Sequence, residues 1–171
     1  GLALGALALF ALLRPAFGAG GFPAIHDVTT NPDDPVAFSE HVAHAPDRVN
    51  GVRYPDPDAD VILMQRAAFP DLAPISLPVP PPQALDRARA IAEQLGWTVT
   101  RTDTAAFTLE AEAVSRVFRF VDDVAIRIRP DGQGGSTIDL RSNSRVGGGD
   151  LGANALRIRA FRDAIGSGAG G

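Results

Sequence analysis

The chain has 171 residues, a formal charge of −4 and 45% hydrophobic content. That suits one globular domain with short appendages and argues against a nucleic-acid binder, which carries a clear basic excess. Cysteine is absent, which excludes disulfides, thiolate metal sites and cysteine nucleophiles together.

From Gly1 to Leu13 the sequence is nearly all Leu, Ala, Gly and Phe, followed by Arg14. A run this short falls below the roughly 20 residues that cross a bilayer. Three readings compete: the end of a transmembrane helix, the core of a secretion signal, and a buried helix of the domain. The run has no polar face, which tells against the third, and Arg14 and Pro15 sit awkwardly before Ala16-Phe17-Gly18, which tells against the second. Length and flanking charge favour a membrane anchor over residues 1–17. Residues 18–37, with Pro23, Pro32 and Pro35, read as an extended linker that Phe22, Ile25 and Val28 lay along the domain surface.

A short helix is predicted over 37–45, with His41 and His44 three apart beside Glu40. No third helical ligand completes a metal site, so solvated surface is the default reading. Tyr54 to Asp60 alternates aspartates but lacks the central glycine and bidentate glutamate of a calcium loop, so it reads as a turn. A helix follows over 59–68, then a proline-spaced extended connection over 71–82. Pro80 to Pro82 open a helix over 83–95, whose Ala84, Leu85, Ala88, Ile91, Ala92 and Leu95 share one arc and which Gly96 ends. Strands are predicted over 97–103 and 104–112, the second pointing Phe107, Leu109 and Ala111 inward and Glu110 and Glu112 outward.

The strongest pattern lies from Arg116 to Ile165. Alternation puts Val124, Ile126, Ile128, Ile138 and Leu140 inward, and Asp123, Arg127, Arg129, Asp139 and Arg141 outward, as in an antiparallel sheet with one wet face. The turn from Asp131 to Gly135 supplies Asp-Gly chemistry for a hairpin between these strands. Continuing the alternation brings Ser142 and Ser144 to the core side, with Arg141, Asn143 and Arg145 opposite. Asp150 reads as the N-cap of a last helix over 151–165, in which Leu151, Ala155, Ile158, Phe161 and Ile165 share an arc with Asn154. A buried amide and two buried hydroxyls need partners. Ser142, Ser144, Arg145, Asp150 and Asn154 are therefore expected to tie the last strand, the glycine turn and the last helix into one corner.

The runs Phe118 to Asp123, Arg141-Ser142-Asn143-Ser144-Arg145-Val146-Gly147 and Asp150-Leu151-Gly152-Ala153-Asn154 with Arg157-Ile158 resemble the bacterial and plastid domain-of-unknown-function family 1499. Ile25 to Thr30 is similar to the lead-in of its proteobacterial members. The resemblance covers roughly residues 25–165 and implies domain identity only, bringing no activity, cofactor or catalytic residue with it; with the N-terminal anchor, the expected setting is the bacterial inner membrane.

The expected fold is α+β: an antiparallel meander of about five strands with the helices on one face, forming a single domain over 38–165 with a glycine-rich tail over 166–171. Two classes of function follow. In one, a membrane-tethered, non-enzymatic binding or accessory module offers an arginine-striped sheet face, or the Gly147 to Gly149 nest, to an anionic lipid, a metabolite or a membrane protein. Its candidate site is Arg127, Arg141, Ser142, Ser144, Arg145, Asp150, Asn154 and Arg157, with no metal, no cofactor and no nucleic-acid partner. The plainer account of the stripe is cross-strand ion pairing in water. In the other class, Ser142, Ser144, Asp150 and Asn154 form a hydrolase-like corner, although no histidine follows His44.

Overall fold

The computed structural model describes residues 21–54, 60–115 and 119–167. The apolar run of residues 1–17, the centre of the aspartate turn at 55–59 and the end of the glycine tail lie outside these. Ten elements follow in order: β1 (Asp27–Thr29), α1 (Glu40–Ala43), α2 (Val61–Ala68), β2 (Ile75–Leu77), α3 (Pro81–Gln94), β3 (Thr98–Asp103), β4 (Thr108–Val114), β5 (Val121–Pro130), β6 (Ser136–Ser144) and α4 (Ala153–Ser167).

The strands form one antiparallel sheet in the order β1-β6-β5-β4-β3. β6 is its longest-range organiser. One edge pairs with β5, with Val124 opposite Ser142 and Ile128 opposite Ile138. The other edge is shared end to end, β2 covering Ser136 to Ile138 and β1 covering Arg141 to Asn143. The fold is α+β as the alternation predicts, but with six strands. Two of them, β1 and β2, are not expected from the sequence: they are three-residue segments inside the linker and the proline connection, too short to show an alternation of their own. Residues 25–36 are thus built into the domain, with Ile25, Val28 and Val36 buried.

The apolar face packs under α3 and α4. Proline is tolerated at the start of α3 because first-turn N–H groups have no intrahelical acceptor. Ala84, Leu85, Ala88 and Ala92 then line up on its inner side, and Gly96, at φ +79°, turns the chain into β3. From α4, Ala155, Ile158, Phe161 and Ile165 meet Leu109, Ala111, Val124, Ile126, Ile138 and Leu140. Trp97 stacks on Phe161 with ring centroids 5.7 Å apart. The β5–β6 turn is tight: Asp131 Oδ1 accepts from the N–H of Gln133 and Gly135, and a Cβ on Gly135 would stand 2.8 Å from the Leu77 carbonyl oxygen.

The opposite face is not wet. Asp123, Asp139, Arg141, Asn143 and Arg145 are all buried, as is Glu110. Residues 31–53 lie across them as a strap whose regular structure is the single turn α1, and that cover replaces the solvent which alternation alone implies. Arg119 sits in the β4–β5 connection at φ +57°, ahead of the first residue of β5. Among the described residues no helix is long and apolar enough to cross a membrane.

Candidate functional site

The side chains singled out by sequence fall on opposite sides of β6. On the helix side, Ser142 Oγ donates to Asn154 Oδ1 at 2.6 Å, and Asn154 Nδ2 donates to Ser144 Oγ at 3.0 Å and to the His26 carbonyl at 3.1 Å. Arg157 Nη1 donates to both Ser142 Oγ and Asn154 Oδ1, while its Nη2 reaches Asp122 Oδ2 at 2.6 Å. The buried amide therefore makes two donor and two acceptor bonds, which is its full capacity. Arg157 supplies the positive charge that lets Asp122 be buried beneath it.

Asp150 organises the turn into α4. Its Oδ1 accepts from Gly152 N–H at 2.8 Å and its Oδ2 from Asn154 N–H at 2.7 Å, satisfying first-turn donors. Burial raises the Asp150 pKa, and these N–H bonds oppose the rise. The helix starts two residues later than the sequence predicts. Leu151 and Gly152 take left-handed backbone at φ +53° and +84°, which takes Leu151 off the apolar arc and leaves it exposed.

On the strap side the arginines are neutralised by carboxylates. Arg141 makes a fork with Asp27, Nε to Oδ1 at 2.9 Å and Nη2 to Oδ2 at 2.6 Å, and donates to the carbonyls of Val36 and Val52. Its guanidinium lies between the rings of Phe38 and Tyr54, at 4.8 and 5.3 Å. Burial, with Asp27 adding to it, pushes the Tyr54 phenol up to about 12. Asn143 donates to Asp27 Oδ2 at 2.8 Å. Arg145 forks onto Asp123 at 2.8 and 2.9 Å and also binds Glu112 and Asp47. The hydrogen bonds that Arg145 donates to Asp123 raise its pKa. Arg48, from the strap, donates to Asp123 and to Asn143 Oδ1; burial lowers its pKa against the pull of Asp123. Arg127 and Arg129 share Asp139 at 2.9 and 2.7 Å, with Asp34 beyond. Asp34, at the open edge, has its pKa lowered by the hydrogen bond from Arg127.

Sequence reasoning brought Ser142, Ser144, Asp150 and Asn154 together and the structure does too, without Arg145, which points through to the other face. It missed Asp27, Arg48 and Asp47, the partners that make the arginines internal. Their signal is weak because each lies in a low-periodicity stretch about a hundred residues from the side chain it meets. His44 Nδ1 faces its own helix turn, 2.9 Å from the Glu40 carbonyl and 3.3 Å from Glu40 Oε2.

Clefts of about 330, 280, 220 and 130 Å³ open on the described surface, and none of the four is lined by Ser142, Ser144, Asp150 or Asn154. The largest holds His41, His44, Thr100 and Glu112 above Asp123 and Arg145. The second lies between Ala24, His26, Asn50, Arg53 and Gly148. Gly148 belongs to a turn in which the N–H groups of Gly147, Gly148 and Gly149 have no acceptor among the described residues. Asn50 pins this turn, its Nδ2 donating to the carbonyls of Ser144 and Gly147, both at 2.8 Å.

No curated protein matches the chain. Residues 27–165, from the first residue of β1 to the last turn of α4, match the family described as Protein of unknown function (DUF1499), and the chain belongs to that family.

Proposed function

We propose that the domain is a non-enzymatic binding or accessory module, tethered to a membrane through the apolar run of residues 1–17, that receives an anionic group. One observation carries the non-catalytic reading: Ser142, Ser144 and Asn154 are buried, and the corner they form with Asp150 is internally bonded. Ser142 and Asn154 have no exposed surface, and both serine hydroxyls are engaged by Asn154 or Arg157. A serine nucleophile needs an open path to substrate and a base within reach. This corner has neither, and its geometry supports a structural joint between β6 and α4.

The anionic group is assigned to the cleft beside Gly148. Arg127, Arg141, Arg145 and Arg157 each have a carboxylate partner. Arg53 is exposed, lines that cleft, and has no ion pair among the described residues. Gly148 lines the same cleft, and the N–H groups of Gly147 to Gly149 have no acceptor among the described residues, which leaves them as further donors for an anion. Asp27 lines the same cleft, but both its oxygens are held by Arg141 and Asn143.

The test is native mass spectrometry of the detergent-extracted chain and of Arg53→Gln. A phosphate-bearing lipid or metabolite that co-purifies with the first and is lost from the second, at unchanged Tm, supports the reading. A clean apo mass in both removes the anionic ligand. Covalent labelling of Ser142 or Ser144 by a fluorophosphonate would replace the reading with a hydrolase.

A further inference from the structure

Most exposed apolar bulk is gathered at one end of the sheet. That end is defined by pairing: β4 finishes and β5 starts there, Val114 opposite Val121; β6 finishes there, Asp122 opposite Ser144; and β1 begins there, Asp27 opposite Asn143. The large apolar side chains exposed among the described residues are Phe22, Val49, Leu63, Val114, Phe120, Leu151 and Leu156. All but Leu63 belong to this pole. Val49 N–H donates to the Arg145 carbonyl, Ser115 N–H to that of Phe120, and Asp150 N–H to that of Ile25. The Phe22 ring lies so close to Gly152 that a Cβ there would come within 2.7 Å of it, which sets Phe22 beside Leu151 and the first turn of α4.

Two further observations say what faces this pole. The described residues begin here, at Gly21 and Phe22, and only Arg14 to Gly20 separate them from the apolar sequence of residues 1–13. The pole also holds two of the three non-glycine residues in left-handed backbone among the described residues, Arg119 and Leu151. Left-handed backbone is costly for a bulky L-residue, and asparagine or glycine would sit there with less strain. An exposed leucine at such a position repays none of that strain by burial within the domain. Arg119 and Arg53, both exposed and without an ion pair among the described residues, flank the patch with positive charge.

We infer that this pole rests on the lipid surface, its apolar side chains in the interfacial region and Arg53 and Arg119 toward anionic headgroups. The inference rests on the membrane-tethered reading above and goes beyond it. The domain is oriented by the bilayer, with Gly147 to Gly149 facing the headgroups and the β5–β6 turn pointing away. A domain merely tied by a linker would have no fixed orientation.

The absence of cysteine makes the test direct. Single variants Val114→Cys and Leu156→Cys at the pole, and Gln133→Cys at the opposite end, are labelled with bimane in the full chain. Each is reconstituted in phosphatidylethanolamine–phosphatidylglycerol vesicles containing a shallow doxyl-lipid quencher. Flotation with the vesicles, with quenching at positions 114 and 156 and none at 133, is the expected result. A chain that floats with no position quenched overturns the docked pole and leaves the tether standing. A chain that stays in the soluble fraction overturns both. Crosslinking between copies through positions 114 and 156 without quenching makes the pole a self-interface and overturns the lipid assignment. In a second variant, Leu151→Asn, Tm rises while quenching at position 114 falls; a fall in Tm would give Leu151 a structural role and count against the inference.

Discussion

Around β6 both faces of this sheet are buried, by unlike means. One is covered by α3 and α4, whose apolar arcs are written in the sequence at helical spacing and meet strand residues written at strand spacing. The other is covered by residues 31–53, almost without regular structure, held down by Arg141 on the Val36 and Val52 carbonyls, by Arg48 on Asp123, by Arg145 on Asp47, and by Ser39 on Glu110. Packing on the first face tolerates any apolar neighbour of about the right volume. The second is specified pair by pair. A buried ion pair adds little net stability over an apolar replacement of its shape, but removing one partner leaves a bare charge in a dry site. The polar face therefore fixes where the strap lies more than it supplies stability.

That difference gives the largest expected effect. Arg141→Ala leaves Asp27 buried without its charge partner and should lower stability by about 3–5 kcal/mol. Phe161→Ala, which empties the space against Trp97 on the helix side, should cost about 3–5 kcal/mol as well. Equal totals hide different routes. In Arg141→Ala, hydrogen exchange should speed at Val49 and Asn50, whose N–H groups bond the Arg145 carbonyl, before the strands lose protection. In Phe161→Ala, strap and sheet should lose protection together. If exchange in Arg141→Ala is uniform, the strap is no separate unit and the contrast between the faces fails.

The corner around Asn154 sharpens the comparison, since it is a polar site on the apolar face. It needs no cover beyond the helix that carries it. Asn154→Ala removes the acceptor of Ser142 and Arg157 and the donor to Ser144 and His26, and should lower stability by about 1–3 kcal/mol in urea unfolding. A change within error would mean that water takes over all four bonds, and the joint would then be dispensable.

Much of this was legible in the sequence, and the boundary of legibility is physical. The central strands, α3 and the arc of α4 could be read because their partners impose a period on them. The corner could be read because an amide and two hydroxyls interrupt apolar rows and must be satisfied. Alternation also sorted Asp123, Asp139, Arg141 and Asn143 onto one face correctly, but it reports only which side a residue faces, never what lies over that side. The strap carries no period and β1 is only three residues long, so Arg48 and Asp47 in the one and Asp27 in the other gave no sign of being partners. Leu151 was misplaced because helical spacing continues smoothly through Asp150 to Asn154, while the backbone spends two residues on a left-handed turn before the helix begins.

The smallest effect concerns ion pairing at the surface, where the chemistry of the strap recurs without burial. Asp71, just after α2, receives Arg159 at 2.6 and 2.8 Å and Arg162 at 3.2 Å, which ties the outer side of α4 to the loop before β2. The hydrogen bonds from Arg159 hold its pKa well below the ordinary 3.8. A carboxyl with a lowered folded pKa contributes stability above its ordinary value and loses it as pH falls toward the folded one. Asp150 runs the other way: its folded pKa is raised by burial, so the folded state holds that proton more tightly and its contribution declines as pH rises through the carboxylate range. Asp71→Asn should therefore flatten the acid limb of Tm against pH, and Asp150→Asn should steepen it. Because the Asp71 side chain is 42% exposed, solvent screens its pairs and keeps the change small. A change in Asp71→Asn as large as that in Arg141→Ala would break the comparison from its other end, since carboxylates matched to arginine would then count equally whether dry or wet.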